Sequence, residues 1–428
     1  MYKNKLIVIV MVLWLGILPA KSQQNTVSPY SRFGIGNISM NAFGAARAMG
    51  NTSVAIKLPN HINYLNPAAY ISQDSMSFIF DVGVNHSYFI YENAQEQASS
   101  QVTSLDHLAI SFPVTKWWAS SIGVTPMSQV GYRIKEQGSL LVISNGERES
   151  ILYDNLYEGN GGLNRFYIGN GIKIGKYLAA GLNLSYIFGS LDKTISNNFL
   201  YEPKTINTVR NYSSMLGDLY FDAGVQVNIP VRKNDKIILG ATFANDQEIT
   251  AQQETYIYNS LPQLNNPDTV FYTESEKSSI TIPQRIGMGM AYHYNNSLYF
   301  TAEYIMQNWS GAKFFGSSDS LVDSDALNFG LQFVKDPFSL TSYWDRVEYR
   351  LGFHAKNTYL QLHNQQLKDI GMSFGLGIPL RNGKSTMNIT FELGQWGTTD
   401  YNLIEETYGK VTINLSLYDF WFRQRKFD

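Results

Sequence analysis

Between Met76 and Ile90 the chain alternates without a break. Even positions carry Met76, Phe78, Phe80, Val82, Val84, Tyr88 and Ile90, interrupted only by His86, while odd positions include Ser77, Asp81, Gly83, Asn85 and Ser87. A period of two predicts a β-strand with one apolar and one mostly polar face. It is about twice as long as a usual globular strand. The same pattern returns at Tyr177–Gly189, with Leu178, Leu182, Leu184, Tyr186 and Phe188 set against Gly181, Asn183 and Ser185. It returns again at Ile370–Leu380, Met387–Trp396 and Val411–Tyr418. Counting every such stretch predicts about 14 strands, an even number of the kind bacterial outer-membrane barrels favour.

The connections sort by length. Tight links are predicted at Thr115-Lys116, Gly175-Lys176, Arg232–Asp235, Asn295-Asn296 and Arg381–Lys384. Between them lie longer polar stretches, Glu92–Gln101, Lys135–Gly161, Leu191–Leu216, Tyr258–Lys277 and Ala312–Asp325, read as loops on the opposite rim. Short alternating with long is the signature of periplasmic turns and extracellular loops. Asp336–Asp345 is the exception, a longer link where a turn is due. The expected fold is therefore all-β, a transmembrane antiparallel barrel over residues 71–428. Trp117, Trp118, Trp309, Trp344, Trp396 and Trp421 fall at strand ends, four on the turn side and two on the loop side, where interfacial aromatic girdles belong.

Two regions lack the alternation. At the N-terminus, Lys3 and Lys5 precede an apolar run from Leu6 to Leu18, and Ala20 and Ser22 offer a cleavage site before Gln23. This predicts a signal peptide over residues 1–22, with an apolar run too short to span a bilayer comfortably. Residues 23–70 are rich in Gly, Ser and Asn with no sustained period, and predict a compact irregular segment with one helical turn near 45–49. Such a segment cannot join the barrel wall stably, so it is expected to fill the lumen as a plug.

Composition sharpens this. The chain has 428 residues, 44% hydrophobic and only 16% charged, with 28 Tyr and 24 Phe, as suits a β-protein facing lipid. A formal net charge of -2 gives no reason to expect nucleic acid as a partner. Zero cysteines exclude disulfides, thiolate metal sites, a cysteine nucleophile and a lipoprotein anchor. The six histidines show no H-E-x-x-H spacing, and no G-x-S-x-G or Walker pattern is present, so no catalytic residue, metal site or cofactor is assigned. By strand parity, Asp222, Arg285, Glu303, Glu348, Arg350, His354 and Glu392 lie opposite apolar neighbours and are assigned to the lumen. On the lipid side each would cost on the order of 2–4 kcal/mol near the midplane.

Ala48-Met49-Gly50-Asn51, Val54-Ala55 and the turn Asn66, Pro67, Ala68, Ala69 ahead of the first strand resemble the FadL family of outer-membrane channels. The entry Ser28–Asn37 and the close Asp419–Phe427 resemble a divergent Bacteroidetes branch of it. The family's usual Asn-Pro-Ala-Gly ends here in Ala69. The resemblance implies passive uptake of hydrophobic, fatty-acid-like compounds, a hatch inside the barrel, and a kinked third strand that opens a side window toward outer-membrane lipid. The third strand here is Trp118–Ile134, and it holds Pro126 followed by Met127, Ser128 and Gly131. Proline removes a ladder donor and is confined to edges and bulges, which makes Pro126 the candidate kink. The branch also contains subunits of secretion or barrel-assembly machines, so other outer-membrane or periplasmic proteins are the alternative partners. A channel would need an apolar pocket beside the hatch and a lateral exit. A subunit would need neither, but should expose a partner surface.

Overall fold

The alternation that begins at Met76 becomes an almost unbroken succession of strands. The computed structural model describes residues 28–144, 147–199, 206–260, 268–274, 277–314, 321–380 and 384–420. The expected signal peptide and Trp421 lie outside the described residues. The N-terminal segment holds a two-residue strand β1 (Asn37–Ile38), a one-turn helix α1 (Gly44–Ala48) and a 3-10 turn at Pro67–Ser72. Then follow β2 (Ser77–Glu92), β3 (Gln97–Pro113), β4 (Trp118–Ser144), β5 (Glu147–Ile174), β6 (Leu178–Phe199), β7 (Asn207–Pro230) and β8 (Lys236–Ala244). An inserted group, β9 (Gln247–Ser260), β10 (Asp268–Glu274) and β11 (Ser278–Ile282), comes next. The series ends with β12 (Arg285–Tyr294), β13 (Leu298–Gln307), β14 (Ser324–Phe333), β15 (Glu348–Leu362), β16 (Gln365–Pro379), β17 (Thr386–Gly397) and β18 (Glu405–Phe420).

Fourteen of these strands, β2–β8 and β12–β18, form a closed antiparallel barrel, and β18 pairs with β2 from Phe420↔Ser77 to Glu405↔Glu92. Closure pairs the wall strands around the ring, as a sheet in hydrocarbon requires, except where β3 and β4 part beyond Leu108↔Val124. The side-chain pattern is inverted relative to a water-soluble protein. Leu182, Phe221, Met288, Phe329, Phe353, Phe374 and Phe391 are exposed on the outer surface, whereas Asn183, Thr301, Glu303, Ser373 and Asn414 are buried inside. This is the alternation of a barrel wall with lipid outside.

Three expectations change. Lys135–Gly161 and Leu191–Leu216 are not loops. They are paired arms of β4–β5 and β6–β7, with the β4–β5 register running to Ser144↔Glu147 and the β5–β6 register to Tyr153↔Phe199. Beyond the bilayer neither face of these strands meets lipid, so they keep backbone pairing but lose the hydrophobic period that marks a strand in sequence. Glu92–Gln101 likewise shrinks to a tight turn, since β2 ends at Glu92 and β3 begins at Gln97. Trp117 and Trp344 are exposed as a girdle requires, but Trp309 and Trp396 are buried, packed inside against Tyr359 and Tyr30 at tilted ring angles. The awkward link at 336–345 is a folded turn, closed by Asp336 N–H to the Asp345 carbonyl and by a Lys335–Asp345 ion pair.

Candidate functional site

The inner surface of the barrel is shaped around residues 28–73. Inward glycines mark where their backbone runs against the wall: Gly181 beside Pro67, Gly224 beside Asn66, Gly240 beside Val54, Gly330 beside Met49, Gly352 beside Gly50 and Gly375 beside Ala48. A Cβ at any of these sites would collide with the segment. These six glycines sit on β6, β7, β8, β14, β15 and β16, so contact extends around much of the circumference.

Polar side chains of the wall then hold the segment's backbone. The Glu303 carboxylate accepts the Ser53 and Val54 N–H groups at 2.7 Å each. Asn183 donates to the Tyr64 carbonyl at 2.8 Å, and Ser373 both accepts Gly50 N–H and donates to the Ala48 carbonyl at 3.0 Å. Irregular backbone inside a barrel must be satisfied by protein or water, and here the wall does it. Asn66 explains the turn it opens. Its carboxamide oxygen caps the 3-10 turn by accepting Ala68 N–H at 3.1 Å, Pro67 occupies the first helical position, and its amide donates to the Val54 carbonyl at 2.6 Å.

An ionic centre lies beneath α1. Buried Arg47 pairs with Asp106, His107 bridges Asp106 (2.8 Å) and Asp81 (2.9 Å), and Phe43 stacks on the His107 ring at 3.6 Å. Asn414 and Ser416 complete the shell of Asp81. Sequence parity misses this centre for a definite reason. Gly83 pairs with His107 and Val84 with Leu105, so Asp106 is the extra residue of a β-bulge and two consecutive residues both point inward. The only sequence signal is the Asp-His pair itself, in the middle of an apolar-alternating strand.

Pro126 sits at a seam. β3 and β4 pair only from Leu108↔Val124 to Pro113↔Ala119, and beyond that point they part. A second bulge follows, with Pro126 opposite Asn164 and Ser128 opposite Leu163, leaving Met127 unpaired with β5. The freed edge of β4 is taken by the N-terminal segment. β1 pairs with Gln129 and Ser128, Ser39 N–H bonds the Met127 carbonyl at 2.9 Å, and Ser28 N–H bonds the Gly131 carbonyl at 3.1 Å. The expectation that this segment makes no strand with the wall is thus corrected over two residues, because the bulge leaves backbone groups of β4 free to pair with it.

A cavity of about 250 Å³ runs from this seam into the lumen on the loop side of the segment. Leu105, Pro126 and Gln129 line its seam end, and Arg285, His354, Lys356, Asp369, Glu392, Glu406 and Lys410 line its lumen end. Lys410 pairs with Glu392 at 3.1 Å, and His354 lies 3.5 Å from Asp369 and 3.0 Å from the Tyr408 hydroxyl. The structure places the seven lumen-assigned residues in separate groups. Arg285, His354 and Glu392 border the cavity. Glu303 holds the segment. Asp222 pairs with Arg165 and accepts from Asn183. Glu348 pairs with Arg350, which also donates to Gln332 and Asn388.

A family model described as BamG matches residues 1–428. A search of curated proteins finds no match. Among solved structures, a Pseudomonas putida toluene transporter TodX is 13% identical and aligns over 91% of this chain and 100% of its own, with a TM-score of 0.57. The Ralstonia pickettii toluene transporter TbuX gives 12% identity, 88% and 98% coverage and a TM-score of 0.57. A Pseudomonas aeruginosa FadL homologue gives 10% identity, 90% and 99% coverage and the same TM-score. At these identities the likeness is one of fold: a plain 14-strand barrel shared with transporters.

Proposed function

This chain belongs to the BamG family, and from that premise we propose that it is an outer-membrane barrel serving as a non-transporting subunit of a secretion or barrel-assembly complex. The observation that carries this reading is the sheet built beyond the membrane. β4 has 27 residues and β5 has 28, where a tilted transmembrane strand needs about 9–11. Roughly 16 residues of each are left over, about 50 Å along the strand. The extra lengths join into a six-stranded blade of β4, β5, β6, β7, β9 and β10 on one rim, which a subunit would use as a surface for a partner.

The lumen supports the same reading. Residues 28–73 act as a plug held by wall carboxylates and amides, and the cavity beside it carries charged groups of both signs where a hydrophobic solute would need apolar walls. Depletion of the protein should therefore lower the amount of other folded barrels in the outer membrane, read as heat-modifiable bands, while uptake of a hydrophobic probe stays unchanged. Unchanged barrel levels with lost uptake would reject the proposal.

One observation favours the channel reading, in which hydrophobic small molecules pass sideways. The cavity reaches Leu105, Pro126 and Gln129, where β3 and β4 part in the wall. Withdrawal of β1 from β4 would open that seam toward lipid.

A further inference from the structure

Among the described residues, the blade has an edge that no strand covers. Past Gly131, β4 pairs with β5 on one side only, and among the described residues no strand meets its other side. The direction of its backbone groups follows from Gly131. Its carbonyl accepts Ser28 N–H and its N–H donates to the Ser31 hydroxyl at 3.1 Å, so both face the free edge. The β4–β5 register is regular from Ser128↔Leu163 to Ser144↔Glu147. By the two-residue period, Arg133, Lys135, Gln137, Ser139, Leu141 and Ile143 therefore present their N–H and carbonyl groups outward, unpaired.

Free edges are normally guarded by charge, proline or a bulge. Here the two basic side chains turn back across the sheet, Arg133 to Glu158 at 3.2 Å and Lys135 to Asp154 at 2.9 Å. The outermost stretch is Leu140-Leu141-Val142-Ile143, with Leu141 and Ile143 each 72% exposed. An unpaired edge with an apolar outer end is a form that accepts an added strand. The same edge already does so lower down, where β1, Ser28 and Ser39 pair with Met127–Gly131.

We propose that the β4 edge from Arg133 to Ile143 is a strand-addition site for an extended segment of a different polypeptide, uncharged and β-branched or aromatic where it meets Leu140–Ile143. The proposal rests on the subunit reading and locates its interface. A second copy is not the occupant. Copies in one bilayer are related by an axis along the membrane normal, so their β4 strands run the same way and present the same edge to each other. The antiparallel self-pairing that an isologous edge contact requires is closed to them.

The test places a photo-reactive benzoylphenylalanine at Ile143 of the full chain in its native outer membrane. Two variants are compared: Leu141→Ala, which shortens the side chain and keeps the edge N–H, and Leu141→Pro, which removes that donor and leaves the β5-facing bonds in place. The expected result is an adduct with a different polypeptide that persists in Leu141→Ala and falls about tenfold in Leu141→Pro, the equivalent of one hydrogen bond lost with its acceptor left unsatisfied. Equal loss in both variants, or an adduct only with this chain itself, overturns strand addition. No adduct while partners still co-purify overturns the site and leaves the subunit reading standing. No adduct and no partner overturns both.

Discussion

Replacing Arg47 with methionine tests whether the N-terminal segment is clamped inside the barrel by charge. Arg47 is 3% exposed, pairs with Asp106 and stands 3.9 Å from Glu392 through Nε. Methionine keeps most of the volume and none of the charge. It leaves the Asp106 carboxylate buried against His107 with its cation gone. Breaking a buried pair from one side costs about 3–5 kcal/mol. That penalty falls on the state in which α1 is seated, so the opening equilibrium of residues 28–73 should rise roughly a hundredfold or more. Limited proteolysis of the folded barrel in detergent reads this directly, since cleavage tracks the open population when reclosing is fast. Cleavage within the segment should accelerate by about that factor while the wall stays intact. Asp106→Asn in the same chain removes the stranded charge, and should recover most of the loss as a non-additive double mutant. Unchanged cleavage in Arg47→Met, or simple additivity of the two substitutions, would refute the clamp.

Three further outcomes are expected. Ser150→Cys, exposed on the arm of β5, should label with an impermeant thiol reagent on whole cells; labelling only after lysis would invert the topology. Pro126→Val restores a ladder donor and should leave hydrophobic-probe uptake unchanged, whereas a fall of severalfold would favour the channel reading. His61 lies outside the strands, and burial, against the opposing pull of Asp81, pushes its pKa down to about 4. The unfolded imidazole binds its proton near 6.5, so stability is complete above that pH and declines as pH falls toward 4, by up to about 3 kcal/mol. Denaturant titrations should show this slope in the native chain and its absence in His61→Phe.

The wall was legible because lipid outside and polar groups inside impose a period of two, as at Leu178–Phe188 and Ile370–Leu376. Where that contrast ends, legibility ends. The arms of β4–β7 keep no sustained alternation of apolar and polar positions, and read as loops. Asp106 and His107 stayed hidden because a bulge breaks parity within a single residue. Trp309 and Trp396 sit at strand ends, as girdle residues do, yet pack inward on Tyr359 and Tyr30. Pro126 did announce an interruption in the ladder. What sequence could not supply was the partner for the freed backbone, which is Asn37–Ile38, some ninety residues earlier in the chain.

The proposed function makes this barrel one part of a larger membrane assembly. Affinity purification of the full chain from its native outer membrane in mild detergent, followed by mass measurement of the intact particle, tests it most directly. The expected result is a stable complex with other polypeptides in fixed stoichiometry, well above the 48.4 kDa of the chain. A lone barrel with bound lipid or a hydrophobic small molecule would contradict it.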